Sequence, residues 1–232
     1  MTEIKICGIT RLEDAFSAAD CGADAVGFIF HEPSPRWIDP IQAKAIVEAL
    51  AGRVTTVGVF VNRKAEEVER ISEVCGLDLI QLHGDETAEY CRRFPPDRVI
   101  KAVWLRNPED LQRLEDYDVR AFLADARDAG RYGGTGKRAD WELAASLAGK
   151  HPLILAGGLG EENIEEALAA VSPLAVDINS GCEKKPGVKD PERIRRIAAI
   201  VRRAGPPGPR KIFSTPVSRR MEKLPSHGGQ GK

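Results

Sequence analysis

Two rhythms of apolar and polar positions alternate along the chain. Short runs rich in Ile and Val occur near residues 3–7, 24–30, 54–61, 78–82, 98–104, 120–124, 152–156 and 174–178. Stretches near 11–21, 40–51, 64–75, 86–93, 108–116, 140–148, 161–171 and 190–203 instead carry apolar residues at the three-to-four spacing of amphipathic helices. Runs such as DAVGFIF and TTVGVFV are apolar at successive positions, hence on both faces, as in the strands of a covered parallel sheet. Glycines, prolines and short polar clusters punctuate the changes of rhythm.

The pattern predicts eight strands, each followed by a helix, in residues 1–204, at about 25 residues per unit. Eight such units suit a single-domain α/β fold, a closed (β/α)8 TIM barrel at the small end of its size range. The alternative is an open doubly wound sheet, which usually stops at five or six strands. No internal repeat divides the barrel into halves.

Residues 205–232, GPPGPRKIFSTPVSRRMEKLPSHGGQGK, break the rhythm. Pro, Gly, Ser and basic residues dominate there, with few apolar side chains to offset the entropy of ordering, which predicts a disordered tail outside the barrel domain. That tail carries a net charge of +5, against −6 for residues 1–204. A mildly acidic barrel argues against a nucleic-acid partner, while a small anionic ligand needs only a few local donors.

The full chain has 232 residues, 42% hydrophobic and 30% charged, the composition of a soluble globular protein. No apolar run approaches the ~18 residues of a membrane span, so no membrane partner is expected. The chain enters a strand pattern at once, without the charged start and apolar core of a signal peptide, and a cytoplasmic protein is the expectation. Five cysteines without a CxxC pair, and four histidines without HxH or HxxxH spacing, give no zinc pattern. Reduced, mostly buried thiols follow, with Cys7 as the one to question.

In a barrel of this kind the active site lies at the C-terminal ends of the strands. Polar residues read there are Cys7, His31 to Arg36, Asn62, Gln81, His83, Asp125, AGGL at 156–159 and DINSG at 177–181. Glycine-bearing loops after strands seven and eight are the frequent phosphate site of such barrels, because backbone N–H groups can approach an anion there. In HEPSPRWI, two prolines stiffen the loop that presents Arg36, whose planar guanidinium suits a two-point grip on a carboxylate. The long segment after Asp125, with Gly130, Gly133, Gly134 and Gly136, has the composition of an active-site lid.

KICGIT with Cys7, SPR with Arg36, QLHG with His83, GGTG and Trp141, AGGL, and SGCE…PGVKD at 180–190 together resemble the phosphoribosylanthranilate isomerase family of tryptophan biosynthesis. The ordered similarity runs from Lys5 to about Val201 and leaves the tail outside. The resemblance implies a cofactor-free, metal-free barrel that performs an Amadori rearrangement. It assigns Cys7 as general base and Asp125 as general acid, and gives Arg36 the anthranilate carboxylate. His83 and Asp177 would be further substrate-binding positions. Gly157, Gly158, Ser180 and Gly181 would hold the phosphate. Two departures stand out: Ala126 follows Asp125 where the family often has Ser, and Asn179 and Cys182 replace the family's commoner Ser and Val.

The implied chemistry needs an acid that starts protonated and a base that starts deprotonated. Asp125 must therefore hold its proton well above the ~3.9 of a free Asp. A thiol of ordinary pKa is only about 3% thiolate at neutral pH, so cationic neighbours of Cys7 are expected to enlarge that fraction. The competing enzymatic readings are a metal-dependent epimerase, for which the His and Asp spacing is missing, and a Schiff-base aldolase using Lys5 or Lys101. A non-catalytic phosphate-ligand-binding barrel is the third reading, and it has no need of both Cys7 and Asp125.

Overall fold

The computed structural model describes residues 1–125, 141–204 and 211–213. Eight parallel strands close on themselves in chain order: β1 (Glu3–Ile6), β2 (Ala25–Ile29), β3 (Thr55–Phe60), β4 (Leu79–Leu82), β5 (Val99–Val103), β6 (Ala121–Ala124), β7 (Leu153–Leu155) and β8 (Ala175–Ile178). The ring closes where β8 pairs with β1, Glu3 opposite Ala175 through Ile6 opposite Ile178. Helices α1 (Leu12–Asp20), α2 (Pro40–Leu50), α3 (Ala65–Cys75), α4 (Ala88–Cys91), α5 (Pro108–Gln112), α6 (Trp141–Ala148), α7 (Ile164–Val171) and α8 (Pro191–Ala204) follow the strands in turn. The (β/α)8 barrel expected from the pattern is the fold observed.

Local chemistry sets the helix ends. Asp39 accepts a hydrogen bond from the Ile41 N–H ahead of α2, which begins with Pro40, and Thr87 caps α4 in the same way. Gly76 ends α3 in the left-handed region. α5 stops at Gln112, short of the predicted 116. The amides of Leu114, Glu115 and Tyr117 reach back only three residues, so the chain continues as tight turns. One element escaped the pattern: β9 (Glu183–Lys185) and β10 (Val188–Lys189), an antiparallel pair after β8.

Two-residue alternation sorts the strands into an outer and an inner core. Ile4 and Ile6 of β1 face the helices, within the larger buried cluster. The inner positions stack in layers of four from alternate strands. From the N-terminal base upward these are Ala25, Leu79, Ala121 and Ala175; then Lys5, Val57, Ile100 and Ile154; then Gly27, Gln81, Leu123 and Asp177; and at the top Cys7, Val59, Ala102 and Ala156. β1 is the exception among inner faces, contributing Glu3, Lys5 and Cys7.

The expectation of a tail lying wholly outside the fold fails at residues 211–213. Ile212 and Phe213 are buried and belong to the inner-barrel cluster. Averaged over 28 residues the composition is that of an unfolded segment, but two apolar side chains in sequence are enough to fill a space the barrel already offers. The remainder of 205–232, and the proposed glycine-rich lid within 126–140, lie outside the described residues.

A buried ion pair braces the loop after β4. Lys101 Nζ lies 2.9 Å from Glu86 Oε2 and donates to the carbonyls of Gly84 (2.7 Å) and Leu82 (3.3 Å). Glu86 also accepts from the backbone amides of Asn62 and Gly84, each at 2.8 Å. Glu86→Ala strands a buried ammonium and both amides. It is expected to lower the free energy of unfolding by about 3–5 kcal/mol, read from the midpoint of a urea titration at unchanged slope.

Candidate active site

The inner face of β1 delivers the sulfur. Cys7 follows the last residue of the strand, and its amide donates to the Ile178 carbonyl of β8, which fixes the side chain at the top of the barrel. Gly27 makes room for it. A Cβ there would stand 2.9 Å from Cys7 Sγ and 3.1 Å from Lys5 Nζ, well inside van der Waals contact.

Lys5 is fully buried, and its Nζ donates to Asp177 Oδ1 at 2.9 Å. Burial alone would lower its pKa, but the Asp177 carboxylate and the Cys7 sulfur outweigh that effect and hold the ammonium above the ordinary lysine value. Cys7 shows the reverse balance. Burial first, then the charge of Asp177, pushes the thiol above its ordinary value. The hydrogen bond and charge of Lys5, with the more distant Lys189, pull the other way without cancelling the rise. The expected cationic neighbours are present, but they do not bring the thiol below its ordinary value. Desolvation and one carboxylate outweigh them.

Asp125 follows β6 and is buried. His83 Nε2 stands 3.0 Å from Asp125 Oδ2, and Gln81 Nε2 stands 2.7 Å from His83 Nδ1. The His83 ring thus bridges the Gln81 side-chain amide and the Asp125 carboxyl. Gln81 and His83 both lie at the end of β4, so one strand end orients the carboxyl carried by another. The edge of Trp104 packs against the His83 ring, with centroids 5.8 Å apart.

Arg36 reaches the site over Gly8, whose φ of +74° and missing side chain admit the guanidinium stem; a Cβ there would meet Arg36 Cδ at 2.8 Å. Glu183 grips one edge of Arg36, with Nη2 to Oε2 at 2.7 Å and Nε to Oε1 at 3.0 Å. Lys189 Nζ, fully buried, donates to the same Glu183 at 2.9 Å and to Asn179 Oδ1 at 3.0 Å. Burial would raise the Glu183 carboxyl, but the hydrogen bond from Arg36 and the charge of Lys189 bring it below the ordinary carboxylate value. No described residue accepts a hydrogen bond from Arg36 Nη1, which leaves that nitrogen for an anion.

The loops after β7 and β8 touch. Gly157 and Gly158 adopt φ of +94° and +68°. A Cβ on Gly181 would stand 2.0 Å from the Leu159 carbonyl oxygen, so only glycine fits where the loops cross. Among the described residues no protein acceptor takes the backbone N–H of Gly157, Gly158, Ser180 or Gly181. Four amides on two abutting turns form a concave donor set for an anion such as phosphate.

These parts surround one cavity of about 560 Å3, a volume usual for a small-molecule site. Cys7, Arg36, His83, Asp125, Asp177, Gly157, Gly158 and Ser180 line it, and Gly181 packs against the Leu159 carbonyl where the loops cross. His31 and Gln81 also line it. Burial and the charge of Arg63 lower the His31 pKa, so its ring is neutral at physiological pH. Sequence reasoning did not assign the supporting charges Lys5, Glu183 and Lys189. One signal was present: in EIKI, charged residues occupy alternate positions of a strand whose other positions are isoleucine.

Taken together, fold and cavity define a (β/α)8 barrel with a small-molecule site at the C-terminal ends of its strands. The family profile described as N-(5'phosphoribosyl)anthranilate (PRA) isomerase matches residues 4–199. The chain is 54% identical over 203 residues to an N-(5'-phosphoribosyl)anthranilate isomerase of Syntrophus aciditrophicus, covering 88% of each. It is 50% identical over 202 residues to one of Citrifermentans bemidjiense, covering 86% of this chain and 96% of the relative. Among solved structures, phosphoribosyl anthranilate isomerase from Thermotoga maritima superposes with a TM-score of 0.80 at 41% identity, over 87% of this chain and 99% of that one. Another structure of such an isomerase, in complex with reduced 1-(o-carboxyphenylamino)-1-deoxyribulose 5-phosphate, matches with a TM-score of 0.77 at 38% identity and the same coverage. The chain belongs to the N-(5'-phosphoribosyl)anthranilate isomerase family.

Asp177→Asn removes the carboxylate that raises the Cys7 thiol and leaves Lys5 to the sulfur. The inflection in Cys7 alkylation rate against pH is expected to fall by about one unit relative to wild type. Peptide mass spectrometry separates Cys7 from Cys75, Cys91 and Cys182, whose thiols burial pushes up to about 11.

Proposed function

We propose that this chain isomerises N-(5'-phosphoribosyl)anthranilate to 1-(2-carboxyphenylamino)-1-deoxyribulose 5-phosphate, in the tryptophan pathway of the cytosol, with Cys7 as general base and Asp125 as general acid. The observation that carries the assignment is that a thiol and a carboxyl line one cavity from strands three steps apart around the ring. A sugar bound between them is reached from two sides. Asp125, oriented by His83, protonates the furanose ring oxygen, and the C1′–O bond breaks to leave an iminium at C1′. That cation acidifies the C2′ hydrogen. Cys7 removes this proton, and the resulting enolamine tautomerises to the ketone.

The charge balance at Cys7 suits this order of events. Burial and Asp177 hold its thiol up. The iminium forms beside the sulfur and adds a positive charge to that of Lys5, stabilising thiolate when a base is needed. In this reading Arg36 Nη1 takes the anthranilate carboxylate, which the hold of Glu183 and Lys189 on the guanidinium supports. The amides of Gly157, Gly158, Ser180 and Gly181 supply the phosphate site.

The aldolase reading loses its nucleophile. Lys5 is committed to Asp177, and Lys101 to Glu86 and two carbonyls, all in buried hydrogen bonds. Attack on a carbonyl needs a neutral amine freed from these bonds, and deprotonating either lysine would leave a buried carboxylate without its counter-ion.

The test is the loss of substrate fluorescence with purified protein; decay no faster than the uncatalysed reaction overturns the proposal. Cys7→Ser and Asp125→Asn are each expected to lower kcat by at least about 100-fold. Arg36→Ala should raise KM by about tenfold or more with a smaller change in kcat, because it removes binding shared by ground and transition states. An unchanged KM removes the carboxylate grip from the assignment.

A further inference from the structure

The barrel has a second occupied opening, at the end away from the cavity. Its base layer is undersized: Ala25, Ala121 and Ala175 fill three of four positions that such barrels usually give to bulky branched residues, and only Leu79 is large. Three alanines across the floor of a closed ring of eight strands leave space there for further apolar side chains. Ile212 and Phe213 fill it, 1% and 2% exposed respectively, within the same cluster as the floor alanines.

Polar groups around the hole match the backbone of that segment. Glu3, the first inward residue of β1, is buried. Its Oε2 accepts from the Ile212 amide at 2.5 Å and from the Phe213 amide at 3.2 Å. The Thr55 hydroxyl, at the first residue of β3, donates to the Phe213 carbonyl. Arg120 Nε donates to the Ile212 carbonyl at 2.5 Å, while its Nη1 holds the Asp97 carbonyl at 2.9 Å. Both N–H groups and both carbonyls of the dipeptide are thus taken by barrel side chains. Burial raises the Glu3 carboxyl, and the two amides are its main compensation.

We propose that the N-terminal opening of the barrel is a binding site for a short apolar peptide, and that its ligand is the chain's own Lys211–Phe213 segment, bound in cis as a plug that stabilises the barrel without entering its chemistry. The connection permits it. α8 runs back along the barrel and ends at Ala204, at the same end as the strand N-termini. The seven residue steps from Ala204 to Lys211 can reach roughly 25 Å when extended. The family match ends at residue 199, so the plug is an addition to the catalytic domain. Glu3 lies on the inner face of the strand that leads to Cys7, so one strand serves both ends of the barrel.

Hydrogen exchange on the full chain is the first test. The Ile212 and Phe213 amides are expected to exchange at least about 100-fold more slowly than in the free peptide 208–215. Exchange at the free-peptide rate overturns the proposal, whether or not any variant folds. In the full chain, Ile212→Ala with Phe213→Ala should lower Tm by on the order of 5–15 °C, with kcat/KM at 25 °C within about twofold of wild type. Adding peptide 208–215 to that variant should restore Tm in a saturable way, whereas the same peptide with alanine at 212 and 213 should not. A variant that melts with wild type, or a peptide that binds without restoring Tm, refutes the plug. Amide protection that falls on dilution refutes the cis assignment and gives the segment to a second copy of the chain.

Discussion

A lysine ammonium buried in the middle of the barrel is the constraint on which the architecture turns. Lys5 sits in a layer otherwise made of Val57, Ile100 and Ile154, where an unpaired charge would cost several kcal/mol. Only the Asp177 carboxylate, 2.9 Å away on the neighbouring strand, makes it tolerable. That pair ties β1 to β8 where the ring closes, and it requires a glycine at position 27 to give the side chain space. It also places a fixed positive charge under the sulfur of Cys7. Electrostatics at the catalytic end are thus a consequence of how the interior satisfies its own buried ions.

The same economy recurs at the rim. Glu183 and Lys189 belong to the small β9–β10 hairpin, and their buried pair holds Arg36, which arrives from the loop after β2. Gly8 and Gly181 are where guanidinium or backbone approaches more closely than a side chain allows, and Gly157 and Gly158 take up left-handed backbone. Glycine here is a packing requirement as much as a turn signal.

Much of this was legible one residue at a time. The eight strands follow from Ile and Val runs with few polar interruptions, and the helices from their periodicity, because each period maps onto burial in a covered parallel sheet. Cys7, Arg36, His83, Asp125 and Asp177 were legible once the barrel was assumed, since strand C-termini converge by topology alone. The supporting ions were not. Lys189 and Glu183 look like surface charges in a polar loop, and nothing in local composition shows that a hairpin folds them inward. The tail misled for a related reason: composition averages over a window, whereas Ile212 and Phe213 answer to a hole formed by residues from three distant strands.

What the sequence by itself determined is the alternation of elements, the fold class and the identity of the groups able to accept or donate protons. Those depend on short-range patterns and on the chemistry of single side chains. The tertiary structure decided the balance of charge at Cys7, the partner of every buried ion and the role of the C-terminal segment. Each of these depends on desolvation and on contacts between residues far apart in the chain, such as Lys5 with Asp177 and Glu3 with Ile212. A pKa and a filled hole are properties of an environment, and an environment exists only once the chain has closed.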